Sequence, residues 1–278
     1  MPKIIITADL HHGITGMHEI VQLRQKIAAE NPDLVIIAGD IGEGVKRIDE
    51  CLREFKNLTC PVGVIAGNHD LWLRDHNIIR DSAHLMDEFL PQLVRSHGMH
   101  WLETEDFQMG DVAVTGTLGW YDYSRRGSTK DTINLTASDY QLIKPRFNND
   151  GNYVRWIDKR TDVEFANSLG EVLETRLAKL ESDPRVREVL VVTHVPAFSE
   201  QLVPIVGDHP IADSYFGNLT LGSRLIKHPK VRTVVSAHTH REVPLQSISS
   251  AGREIAIATL GSDYRAPKHL TIIVQTLS

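Results

Sequence analysis

Eight short apolar runs, rich in Val and Ile, punctuate this chain, and five of them give way abruptly to a histidine, an aspartate or an asparagine. They span residues 4–8, 34–38, 62–66, 112–116, 188–193, 232–237, 254–259 and 270–275. Runs of this length bounded by turn residues read as buried strands. Between the first three lie amphipathic helical patterns, with Ile20, Leu23 and Ile27 on one face and Val45, Ile48, Leu52 and Phe55 on another. A βαβαβ opening of this kind predicts a parallel sheet with right-handed crossovers. Amphipathic segments at residues 76–96 and 162–181 should cover a sheet face, and the closely spaced C-terminal strands suit antiparallel hairpins. The expectation is a mixed α/β fold in one domain over residues 1–278, without internal repeats.

Charge and cysteine content remove several functional classes. The formal net charge is -6 with no Lys/Arg block, so the basic footprint of a duplex-DNA binder is missing and a nucleic-acid partner is unsupported. Cys51 and Cys60 have no metal-ligand spacing and build no disulfide framework. The first apolar run breaks at Asp9, and no uninterrupted stretch of about 18 apolar residues exists. No membrane partner and a cytoplasmic location are therefore expected.

The strand ends carry the chemistry. Asp9 and His11 follow the first run, Gly39 and Asp40 the second, and Gly67, Asn68, His69 and Asp70 the third; His194 follows the fifth, and His238 and His240 the sixth. In α/β sheets, ligand sites collect outside the carboxyl ends of strands, where residues distant in sequence converge. Asp9 with His11, and His238 with His240, are spaced i, i+2, and point to one side if the strand continues extended. Gly67 and Asn68 alone also suit a turn, because both tolerate left-handed backbone angles. Oxygen and imidazole donors suit Mn, Fe, Zn or similar divalent ions. Seven candidate ligands exceed one tetrahedral site and suit two ions that share a bridging carboxylate. Two divalent ions less the charges of Asp9 and Asp40 leave a positive pocket, for which phosphate is a natural substrate group.

The ordered set D-x-H (Asp9, His11), G-D (Gly39, Asp40), G-N-H-D (Gly67 to Asp70), a lone His194 and H-x-H (His238, His240) resembles the calcineurin-like metallophosphoesterase superfamily, with matches running from Asp9 to His240. The resemblance implies an α/β fold with a central β-sandwich of two mixed sheets flanked by helices, in four αββα layers. It implies that Asp9, His11 and His240 hold one metal, that Asn68, His194 and His238 hold the other, and that Asp40 bridges them. His69 is then the catalytic histidine that faces the leaving group, oriented by Glu43, while a hydroxide between the ions attacks phosphorus in line. Ala237 stands where the family usually has glycine and should crowd the backbone. His12 has no role in the pattern and reads as structural or as a rim residue. Asp70 is expected to cap a helix in the following segment rather than orient His69.

The substrate reads as a small phosphodiester or phosphomonoester. Residues 120–160 are polar and turn-rich yet hold four of the six tyrosines and two of the four tryptophans, which suggests a lid or cap insertion with a short helix at 137–143. Its aromatics could stack a base, favouring a nucleotide or other phosphodiester, or simply pack against their own domain; a nuclease is the runner-up. Arg125, Arg126, Arg155, Lys159 and Arg160 read first as solvated surface and second as phosphate grips. A non-catalytic scaffold of the same fold should have lost ligands, and an amidohydrolase should place H-x-H after its first strand; neither holds here. The remaining histidines, His76, His84 and His209 among them, match no motif.

Overall fold

The computed structural model describes residues 2–74, 79–126, 132, 134–203, 210–250 and 252–274; His76 and His209 lie outside them, as do Gln275 and the start of the expected 76–96 segment. Strands β1 (Lys3–Thr7), β2 (Leu34–Ala38) and β3 (Val62–Ile65) run parallel, joined by helices Met17–Ala29 and Val45–Phe55. There follow β4 (His100–Trp101), β5 (Phe107–Met109), β6 (Val112–Thr117), β7 (Glu188–Thr193), β8 (Val231–Ser236), β9 (Val243–Ser250), β10 (Arg253–Thr259) and β11 (His269–Ile273). They form a five-stranded sheet, β11-β1-β2-β3-β4, and a six-stranded sheet, β5-β6-β7-β8-β10-β9.

Side-chain alternation explains how the sheets stack. Ile4, Ile6 and Ile36 point toward the second sheet and pack with Val114, Leu190, Val192 and Val235. Ile5, Val35 and Ile37 point the other way, onto Ile20, Ile27 and Leu52 of the first two helices. On the far side, Val189, Val191 and Val234 meet Leu173 and Leu177 of helix Asp162–Ser182 and Leu221 and Leu225 of helix Leu219–Leu225. Strands covered on both faces are apolar throughout, as these runs are. The result is the expected αββα sandwich of two mixed sheets. Each large aliphatic side chain buried this way contributes about 1.5–3 kcal/mol.

The C-terminal strands depart from the hairpin expectation in part. β10 pairs antiparallel with β9 and β11 with β1, but β10 lies parallel to β8, because β9 takes the outer edge. That edge strand is mostly exposed and polar, so no apolar run marks it. The 76–96 segment is helical from Ser82 to Ser96, with a π-helical turn at Leu85–Phe89. The helix expected at 137–143 extends over Ala137–Phe147, started by a Thr136/Asp139 capping box.

Two charged side chains join the sheets at the end where the motif residues gather. Glu103, beyond β4, accepts hydrogen bonds from the backbone N–H of Ala66 at 3.2 Å and of Leu118 at 2.7 Å, beyond β3 and β6 respectively. Arg176 donates to the carbonyls of Glu103 and Gly116 at 2.7 and 3.2 Å. Burial pushes the Glu103 carboxyl up to about 7 from an ordinary value of 4.5, against the lowering effect of those amides. Between these values the folded chain keeps a proton that the unfolded chain releases, so this group's contribution to stability falls as pH rises through the window. Glu103→Gln should remove that slope, and urea midpoints of both proteins from pH 4.5 to 8 would show the variant gaining on the parent. Glu103→Ala, which strands two buried amides, should cost about 1–3 kcal/mol per amide at the acid end of that range.

Candidate metal centre

The carboxyl ends of β1, β2, β3, β7 and β8 deliver their motif residues to one cleft. Asp9, His11 and His240 place one donor atom each within 4.8 Å of one another, and Asp40, His194 and His238 do the same. Asn68 joins the second group, its Oδ1 lying 3.1 Å from His194 Nε2 and 3.0 Å from His238 Nδ1. Asp40 stands between the groups, with Oδ2 3.4 Å from His11 Nε2 and 3.5 Å from His194 Nε2. All seven residues expected as ligands are therefore brought together.

The extended geometry expected for the i, i+2 pairs is absent. Asp9, His11, Asp40, His238 and His240 have φ of 53°, 41°, 52°, 70° and 56°. Left-handed backbone in non-glycine residues is uncommon, and here it turns His238 and His240 into different groups instead of to one side. Gly67 also departs from expectation, since its φ is not positive. What it provides is space: a Cβ at this position would overlap the carboxylate and backbone nitrogen of Asp40. Ala237 is fully buried and belongs to the core between the sheets.

Each histidine of the two groups has its second nitrogen engaged. His194 Nδ1 lies 2.9 Å from the Ala38 carbonyl, His238 Nε2 3.0 Å from that of Tyr215, and His240 Nδ1 2.8 Å from that of Ser262. A carbonyl only accepts, so these nitrogens carry the protons. The opposite nitrogens of His194 and His238 then turn lone pairs toward Asn68 Oδ1, itself an acceptor. Three convergent lone pairs call for a cation or a shared proton. In the protein alone His194 takes the proton: burial lowers its pKa, but the charge of Asp40, the contact with its carboxylate, the charge of Asp9 and the Ala38 carbonyl together raise it more, and the net value rises to about 9. In the other group, Asp9 Oδ2 and His11 Nε2 are buried without a hydrogen-bond partner. Such donors fit divalent ions, and outer partners that fix each ring are typical of metal-ligating histidine.

His69 sits beside this centre and is 15% exposed. Its backbone N–H donates to Asp40 Oδ1 at 2.9 Å, its Nδ1 lies 3.0 Å from Glu43 Oε1, and its ring stacks on Trp72 at 3.7 Å. Burial lowers its pKa, but Asp40 and the hydrogen bond to Glu43 raise it more, so the net shift is upward. Glu43 also approaches His11 Nδ1 at 3.2 Å and pairs with Arg74 at 2.7 Å. These contacts overcome its burial and hold its carboxyl down to about 2. His12 instead pairs with Glu50 at 3.0 Å. Among the described residues, Asp70 caps no helix in the segment that follows. It is buried, and accepts from the amides of Ile41 at 2.9 Å and Gly67 at 2.8 Å, tying together the loops after β2 and β3.

The cleft, about 190 Å³, is also lined by Trp72, Asn148, Asn149, Phe216 and Tyr264, none of which carries a motif signature. The aromatics of residues 120–160 mostly serve another purpose. Trp120, Tyr121, Tyr123 and Tyr140 are buried, which removes them as a base-stacking platform, while Tyr153 is exposed and stacks on Trp72 at 4.7 Å. Of the cations considered there, Arg160 is held by Asp158 at 2.6 Å.

The family model for calcineurin-like phosphoesterases matches residues 2–242. The chain belongs to that family, a class of metal-dependent hydrolases acting on phosphate esters. Among solved structures it is similar to the phosphopantetheinyl hydrolase from Mycobacterium tuberculosis, with a TM-score of 0.71 and 16% identity over 97% of this chain and 95% of the other. It is also similar to a dimetal phosphatase from Danio rerio, with a TM-score of 0.57 and 15% identity over 96% and 91% of the two chains. At these identities the likeness is one of fold. No curated protein matches by sequence. No helix among the described residues is long and apolar enough to cross a membrane.

The space left by Gly67 is directly testable. Gly67→Ala should drive Asp40 out of place and lower the content of bound divalent metal, measured by elemental analysis after dialysis, while far-ultraviolet circular dichroism stays unchanged.

Proposed function

We propose that this protein hydrolyses a small phosphodiester or phosphomonoester with two divalent ions bound in the cleft. The carrying observation is that two ligand groups meet at Asp40 Oδ2, with orphaned donors on Asp9 and His11 and with His69 alongside. Asp9, His11 and His240 would hold one ion, Asn68, His194 and His238 the other, and Asp40 would bridge. Mn, Fe and Zn all suit this donor set. When bound, such a pair lowers the pKa of coordinated water and stabilises charge on the phosphoryl oxygens.

The chain's own residues supply the rest. Glu43, itself anchored by Arg74, fixes the His69 ring through Nδ1 and favours the imidazolium, leaving Nε2 to donate a proton to the departing oxygen. Stacking on Trp72 keeps that ring from rotating away. Trp72, Phe216 and Tyr264 offer flat apolar surface to the organic part of the ester, and Asn148 and Asn149 offer hydrogen bonds. Residues 120–160 act as a cap built into the same domain, since their aromatic core packs with that of the first helical layer.

Metal-stripped protein given back Mn should hydrolyse bis(p-nitrophenyl) phosphate or p-nitrophenyl phosphate, and the preferred ester sets the class; a phosphopantetheinyl ester belongs in the same panel. No turnover of any ester by protein carrying two ions would defeat the proposal. His69→Ala should keep both ions and lower kcat about 10²- to 10⁴-fold. Asp40→Asn should weaken both ions together, and loss of one alone would remove the bridging assignment.

A further inference from the structure

Asp150 stands in residues 120–160, far from every motif, yet its carboxylate reaches the metal centre. It is fully buried, and Oδ1 accepts from Asn68 Nδ2 at 2.9 Å and from Trp72 Nε1 at 2.6 Å. Oδ2 accepts from the Tyr121 hydroxyl at 2.9 Å, and the Asp150 backbone N–H donates to Asn148 Oδ1 at 2.7 Å. The helix that carries it is the single turn Asp150–Tyr153.

We infer that Asp150 is a positioning residue that orients the Asn68 amide, so that the insertion decides whether the second ion site exists. An amide side chain has two nearly isosteric orientations, and only one presents oxygen to a metal. A carboxylate accepts and does not donate, so the atom of Asn68 that faces Asp150 must be the nitrogen. The oxygen is then turned to His194 and His238. Through the same oxygen Asp150 fixes Trp72, on which His69 stacks, so one carboxylate sets both a ligand and the wall behind the histidine. This rests on the proposed ligand role of Asn68.

Binding of Co²⁺, read by calorimetry and elemental analysis, tests it without turnover. The parent should bind two ions; if it does not, the metal reading itself fails. Asp150→Ala lets the amide turn over and should weaken one ion about 10- to 100-fold while sparing the other. Tyr121→Phe removes a donor from the same network without touching Asn68 and should leave both affinities unchanged. Asp150→Asn, whose Oδ1 still accepts from Asn68 and Trp72, should keep both. The double variant Asp150→Ala with Asn68→Asp should recover the second ion, because a carboxylate presents oxygen either way it turns. Two ions at parental affinity in Asp150→Ala would overturn the inference. So would a double variant that is no better than Asp150→Ala or fails to fold, whether or not Asp150→Ala itself folds.

Discussion

Buried negative charge is the constraint around which this end of the sandwich is arranged. Asp9, Asp40 and Asp70 are 0%, 1% and 1% exposed and lie on the neighbouring ends of β1, β2 and β3. An isolated carboxylate in such surroundings is costly unless paired or neutralised. Burial pushes the carboxyls of Asp9 and Asp70 up, and the charge of Asp40 adds to the effect in both. Asp40 is buried as well, but His194, His69 and His11 overcome this and hold it well below the ordinary range. One carboxylate is thus ionised at the expense of its neighbours. Asp70 uses its oxygens on backbone amides, which leaves Asp9 Oδ2 as the acceptor still without a partner. Cations in the cleft would relieve that imbalance.

Backbone strain falls at the same place. Among the described residues, five of the nine non-glycine residues with positive φ are candidate ligands. Such conformations cost of order 1–3 kcal/mol each, and they persist only where the surroundings over-determine them. Here the surroundings are the two sheets, whose ends are tied across the sandwich by Glu103 and Arg176. The apolar core between the sheets offsets the strain at their ends, so the core and the site depend on each other.

The legible part of the sequence follows from this division. Strands buried on both faces must be apolar, so their runs stand out, and the polar residues that interrupt them mark the site. The edge strand β9, with the sequence VPLQSISS, carries no such run. The i, i+2 argument assumed extended backbone, but φ is positive at Asp9, His11, His238 and His240; Asp9 and His11 still share a group, whereas His238 and His240 part. The carbonyls of Ala38, Tyr215 and Ser262 that fix the histidines were unreadable, since every residue has a carbonyl. Asp70 looked like a cap because aspartate commonly starts helices, and nothing local shows that its partners lie across a loop.

The aromatic stretch from residue 120 to 160 shows why composition leaves two readings open when burial is unknown. Aromatic residues with polar neighbours suggest a wet binding platform, but tyrosine and tryptophan can equally be interior residues whose polar tips find a partner. Two buried aspartates serve as those partners. Asp162 accepts from Trp120 Nε1 at 2.8 Å and from the Tyr123 hydroxyl, and is paired with buried Lys144 at 2.7 Å. Asp150 accepts from Tyr121. The difference between them is what else they hold. Asp162 begins the helix Asp162–Ser182 and has its charge matched by Lys144 of the insertion, so its contacts fasten the insertion to that helix. Among the described residues Asp150 has no such cation as a hydrogen-bond donor, and its remaining donors, Asn68 and Trp72, belong to the loop after β3. An acceptor supplied from one segment and donors supplied from another make a joint that neither segment satisfies alone. The conformation of the loop bearing Asn68 and His69 is therefore coupled to the folding of the insertion.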